Sequence, residues 1–262
     1  MKPKIVLLQS ALVAFVSLVR PETGHGGRPL VVDDAAPVAP GGLEVELGLY
    51  HGRPDGGGRD RRWPTVAVAY GLVEGLEIGL GLQRVSQDMS GASPVDGFED
   101  LRLAAKYRIA ESRGRLPSIA AAVDVKLPTA SRSRGLSSGK SDQTLLAIAT
   151  QPFGAFAVHA NIGYTIVGRV HGKTLMNRIH GGAAVEHALD SRWLIVGEIF
   201  GFSRPSSATP NEAEFQVGVR YALHPSLVLD AAAGRSLRPR GTMAQATFGL
   251  TWTFDLSGKR GP

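Results

Sequence analysis

The 262-residue chain has no cysteine. That excludes a thiolate metal site, a disulfide framework and a cysteine-based lipid anchor. Beyond Val19 it also lacks any apolar run long enough for a transmembrane helix, about 20 residues. If the chain crosses a membrane, it must do so as strands in a closed barrel, where every backbone group finds a partner.

Motifs for catalysis and ligand binding are equally scarce. No convincing Ser–His pair shares one outward surface, so a serine hydrolase lacks its usual frame. Gly135-Leu-Ser-Ser-Gly139-Lys140-Ser141 resembles a phosphate-binding loop, but three residues separate its glycines where four are needed. The stretch after it reads as strand, so no helix dipole would complete the cradle. His180 and His187 fall on opposite faces of a strand. His180 could share an interior with His159, yet a hydrogen-bonded histidine explains each as well as a zinc ligand does. The sequence calls for no metal, no cofactor and no catalytic residue.

The N-terminus has Lys2 and Lys4 followed by an apolar stretch ending near Val19. This reads as a secretory signal peptide, taken here as residues 1–26, although no Ala-x-Ala site marks the cleavage point. Residues 27–42 are Pro-rich and read as an extended periplasmic lead-in, since proline blocks helix and central strand alike.

From residue 43 to residue 254 the chain alternates. About twelve strand-like runs follow one another, near the 9–11 residues that cross a bilayer at a tilt. Leu43, Val45, Leu47 and Leu49 share one face, Glu44 and Glu46 the other; Leu76, Ile78, Leu80 and Leu82 oppose Glu77, Gly79 and Gly81. The run 98–109 reads as one strand. Short connections (72–74, 110–115, 153–154, 188–191, 223–225) alternate with long ones (52–62, 84–97, 128–141, 168–176, 204–210, 236–242). A soluble β-sandwich would show the period of two but not this strict alternation. The expected fold is all-β: a transmembrane antiparallel β-barrel of about 12 strands, of the bacterial outer-membrane type. Residues 255–262 form a C-terminal tail.

Aromatic residues fit that axis. Tyr70, Tyr107, Phe153, Phe156, Trp193, Tyr221, Trp252 and Phe254 gather near the short turns, and Tyr50, Trp63, Tyr164 and Phe202 near the long loops. Two such belts mark the interfaces of a membrane.

The charged residues on the polar parity are the strongest functional lead. On the first strands they are Glu44, Glu46 and Glu77; on the middle ones Arg102, Lys106, Arg108, Asp124 and Lys126. Farther on come Arg178, Glu186, Glu198, Glu212, Glu214, Arg220 and Asp230, with His159 and His180 among them. Charges this dense need water or opposite partners. They line either a polar passage or a stiff plug of salt bridges. The net charge of +6 gathers in the long loops, where lipopolysaccharide phosphates are expected, so it does not call for nucleic acid.

Three stretches carry a family resemblance: Arg28-Pro29-Leu30-Val31-Val32-Asp33-Asp34, Gly97 to Arg108, and Val125-Lys126-Leu127-Pro128-Thr129 with the basic, Ser-rich loop to Asp142. Together the chain from about 28 to 254 resembles the family described as putative MetA-pathway of phenol degradation, a group of outer-membrane barrels often described as transporters. The last strand also resembles the signal read by the outer-membrane assembly machinery, here Thr247, Gly249, Trp252 and Phe254. The resemblance implies a passive channel or transporter for small molecules, aromatic or hydrophobic compounds among them. The alternative is a closed structural or surface-interaction barrel. The expected partners are outer-membrane lipid and lipopolysaccharide, the assembly machinery and a small-molecule solute.

Overall fold

The computed structural model describes residues 27–258 apart from 92, 173, 208 and 240. The expected signal peptide and the end of the tail lie outside the described residues.

The chain is strand throughout. β1 (Gly42–Pro54), β2 (Gly58–Val73) and β3 (Leu76–Met89) are followed by β4 (Val95–Phe98), β5 (Arg102–Ala110) and β6 (Ser118–Lys126). β7 (Asp142–Phe153), β8 (Phe156–Ile166), β9 (Arg178–Ala188) and β10 (Trp193–Phe202) come next. β11 (Glu212–His224), β12 (Leu227–Ser236) and β13 (Thr242–Asp255) complete the wall. Every ladder is antiparallel. β1 pairs with both β2 and β13, which closes the sheet and leaves no edge. β4 and β5 both pair with β3, one above the other, so they form a single interrupted wall strand. The result is a closed antiparallel barrel of 12 strands.

The interruption corrects the single strand expected over 98–109. Residues 99–101 bulge: Glu99 N–H reaches the Gln83 carbonyl and Leu127 N–H the Leu101 carbonyl. The long loops expected at 52–62 and 84–97 are also mostly strand. β1 stays paired with β13 up to Pro54 and β2 with β3 from Gly58, and three glycines at positive φ (Gly56, 93°; Gly57, 91°; Gly58, 111°) make the turn. These extensions look like loop in the sequence because their outward face has become charged (Arg53, Arg59, Arg61) while the backbone ladder continues. Pro64, which lacks an N–H, sits where the β2–β3 register shifts between Arg62 and Thr65.

Outside, the wall is apolar. Leu80, Leu103, Leu145, Ile162, Val185, Ile195 and Val217 are all exposed. The girdle at the short-turn end is present: Leu43 stands between Tyr70 and Phe254, and the Trp252 and Phe254 rings lie 4.7 Å apart. The opposite belt is thinner than expected. Tyr50 and Phe202 face inward, where Tyr50 donates to Gln245 and Phe202 stacks on His180 at 5.3 Å.

Candidate functional site: the barrel lumen

Cross-strand register carries one inward face around the whole circumference. Glu46 lies opposite Ala67 and Thr251, Glu77 opposite Lys106, and Arg102 opposite Lys126. His159 lies opposite Ala184, Glu186 opposite Val196, Glu198 opposite Gln216, and Arg220 opposite Asp230. Alternation puts Glu44, Arg108, Asp124, Arg178, His180, Glu212 and Glu214 on that same face. Small residues (Ala67, Ala69, Gly79, Gly81, Gly218, Ala232) share it and leave room inside.

Residues 28–38 use that room. The segment expected as a periplasmic lead-in lies within the barrel rather than beneath it, because many of the polar groups on its backbone find an inward partner. Arg28 places Nε and Nη2 on the two oxygens of Asp230 at 3.2 and 3.1 Å. Nη2 also donates to Thr247 Oγ1 at 3.0 Å and to the Phe248 carbonyl at 2.9 Å. Gly48 and Gly249, paired between β1 and β13, make space for this guanidinium; a Cβ on either would collide with it. The Arg28 carbonyl accepts from Arg220, which also pairs with Glu186. Gln216 donates to the Pro29 carbonyl at 2.7 Å and to Glu198 at 2.6 Å. Glu198 in turn accepts the N–H groups of Val31 and Val32, each at 2.8 Å.

Farther along, Ala35 N–H donates to Thr150 Oγ1 at 2.9 Å, and Thr150 bonds His159 Nδ1 at 3.0 Å. Lys106 reaches Asp33 at 3.3 Å, the Asp34 carbonyl at 3.3 Å and Glu77 at 3.4 Å. Glu77 accepts Val38 N–H at 2.6 Å. Apolar side chains fill the intervals: Leu30 and Val32 against Ala184 and Val196, Ala35 against Ala120 and Ile148. The segment thus winds around the inside of the wall, from β13 past β10 and β7 to β3. Glu44, 5% exposed, is buried on the same face.

Nearer the long loops the inward charges pair with one another instead. Arg102 pairs with Asp124, and Arg178 with Glu212 at 3.3 Å. Arg178 also lies over the Phe202 ring, 4.9 Å from its centroid. Lys126 joins Asp142 at 2.9 Å and Asp100 at 3.4 Å. Asp100 also accepts Ala130 N–H at 2.9 Å and the Ser137 hydroxyl at 2.8 Å, which ties the 127–141 loop over the lumen. At the opposite mouth Arg108 holds Glu74 at 2.8 Å and Glu111 at 2.7 Å.

Between the two layers lies a cavity of about 600 Å³. Arg28 and Glu46 border it on the lead-in side, Ala67, Gly81, Gln83 and Arg102 along the wall, and Gly135–Ser138 from the loop. It can hold a small polar molecule, with guanidinium, ammonium and carboxylate groups all within its lining.

Arg28, Asp33, Asp100, Asp142 and Thr150 were missed as partners. Thr150 shares the parity of the inward charges, opposite His159; Arg28 and Asp33 lie in a stretch with no period to read. His159 and His180 stand at different levels, and among the described residues no three His, Asp or Glu side chains converge as metal ligands. In the terminal strand Thr247 and Gly249 face Arg28, whereas Trp252 is outward and 47% exposed.

A closed barrel with an apolar outer belt, an aromatic girdle and a charged interior is a barrel of the bacterial outer membrane. The chain belongs to the family described as "Putative MetA-pathway of phenol degradation", which it matches over residues 21–254. Among solved structures it is similar to an outer-membrane channel from Pseudomonas putida F1, at 15% identity over 84% of this chain and 98% of that one, with a TM-score of 0.66. It is also similar to the NanC porin (10% identity, 82% of this chain and 100% of that one, TM-score 0.55) and the KdgM porin (10%, 80% and 99%, TM-score 0.55). At these identities the likeness is one of fold. No curated protein matches the sequence.

Proposed function

We propose that this barrel is a passive channel or transporter for small molecules, with residues 28–38 setting its bore. The observation that carries the reading is the cavity of about 600 Å³ left inside the wall, lined by charged and polar groups rather than filled. Selectivity would come from bore width and lining charge, and no covalent chemistry is asked of the chain. The family description points to aromatic compounds, and the similar solved folds include a protein described as an outer-membrane channel. The charged lining favours solutes that carry polar groups. On this reading the partners are the solute, outer-membrane lipid with its lipopolysaccharide, and the assembly machinery that reads the last strand.

Conductance across planar bilayers tests it. The full chain should give small, steady steps, and a chain with residues 29–38 replaced by a Gly/Ser segment should give steps several-fold larger. Silence from both would make the protein a closed structural barrel.

A further inference from the structure

Four exposed arginines sit on the outward face near the outer rim, a fifth follows in the adjoining loop, and all belong to one sector. Alternation sets their direction. Gly52, Asp60, Gln245 and Gly234 occupy the inward parity, so Arg53, Arg59, Ala244 and Arg235 point out. Arg53 lies opposite Ala244; one step beyond Gly234–Gln245 brings Arg235 beside Ala244, and one step beyond Gly52–Asp60 brings Arg59 beside Arg53. The three guanidinium groups therefore form one row across β12, β13, β1 and β2. Arg61 stands on the same face two residues lower, opposite His51, and Arg238 follows β12. None of the five forms an ion pair among the described residues; Asp88, opposite Arg59, ends the row.

The height of the row matters. From Leu43, at the aromatic girdle, to Arg53 the strand climbs roughly 25 Å at about 3.4 Å per residue and a tilt near 40°. That is about the thickness of the apolar band in such barrels. The row thus sits where acyl chains give way to headgroups. Beside it a cleft of about 660 Å³ is lined by Arg235 and Arg238 together with Phe215, Leu237 and Met243, and Asp55 also borders it. Cations next to apolar side chains suit a lipid whose phosphate lies just above its chains.

We propose that this β12–β13–β1–β2 sector is a docking surface for a phosphorylated glycolipid of the outer leaflet, with Arg53, Arg59 and Arg235 on its phosphates. The outward direction separates this from attraction of anionic solutes to the mouth. It also sets these residues apart from Arg62, Arg132 and Arg134. Arg62 faces inward, pairing with Asp60 at 3.0 Å, and Arg132 and Arg134 belong to the loop tied over the lumen. The proposal does not depend on transport.

The test compares thermal unfolding in vesicles of neutral phospholipid with and without added lipopolysaccharide. Three proteins are compared: the full chain, the triple variant Arg53→Gln/Arg59→Gln/Arg235→Gln, and the double variant Arg132→Gln/Arg134→Gln as a charge control. Lipopolysaccharide should raise the Tm of the full chain and of the control, and the triple variant should lose more than half of that gain. Dephosphorylated lipopolysaccharide should give the full chain only the residual gain of the triple variant, and inorganic phosphate should give none. The proposal is overturned if the control loses as much as the triple variant, if dephosphorylation changes nothing, or if free phosphate reproduces the gain. A triple variant that is less stable by the same amount with and without lipopolysaccharide also overturns it.

Discussion

The inward charges fall into two layers that solve the same problem differently. Toward the short turns Glu77, Lys106, Glu198, Arg220 and Asp230 each bond to residues 28–38. Toward the long loops Arg102, Asp124, Lys126, Arg178 and Glu212 pair across the wall or with a loop residue next to it. The lower layer is therefore tied to the 28–38 segment as well as to itself, and the upper layer to the barrel alone. Charges that look alike in the sequence differ in what would happen to them if the segment left.

Arg28→Ala should break that contrast most severely. Asp230, whose side chain is 1% exposed, would keep its charge without its partner. Removing one member of a buried pair costs about 3–5 kcal/mol, measurable by denaturant unfolding in detergent. A loss below about 1 kcal/mol would mean that the lower layer does not rely on the lead-in.

Lys126→Met should have a middling effect. Asp100 would keep its bonds from Ala130 and Ser137 but lose its cation. A loss of about 1–3 kcal/mol is expected for a buried acceptor left short of partners, with faster proteolysis within 128–141. Unchanged proteolysis would show that the loop is held without Lys126.

The smallest change is expected for Arg102→Ala. Its pair with Asp124 is half exposed (51% and 27%) and should be worth about 0–1 kcal/mol. A loss as large as that of Arg28→Ala would erase the distinction between layers.

The barrel was legible because a membrane imposes a period of two on every strand, and Glu44 to Asp230 could be placed on one face from parity alone. What surrounds those charges was not legible. Arg28, Asp33 and Val38 sit in a segment without periodicity, and its path is set by partners hundreds of positions away, such as Asp230 and Glu198. Strand ends above the membrane were misjudged for a related reason. Once Arg59 and Arg61 replace apolar residues on the outer face, the signal fades although the hydrogen bonds do not. The bulge at 99–101 left no mark, since Glu99, Asp100 and Leu101 suit a strand as well as a break in one.

The seat of Arg28 draws on both ends of the sheet: Glu46 and Gly48 come from the first strand, Thr247 and Gly249 from the last. In an unclosed sheet those two ends are far apart: the last two strands bond the guanidinium, while the first takes the Arg28 backbone N–H on Glu46 and leaves space at Gly48. The complete seat of the stretch that precedes the first strand therefore lies where the last strand meets the first. Arg28, next to the start of the described chain, thus serves as a latch across the seam between first and last strands.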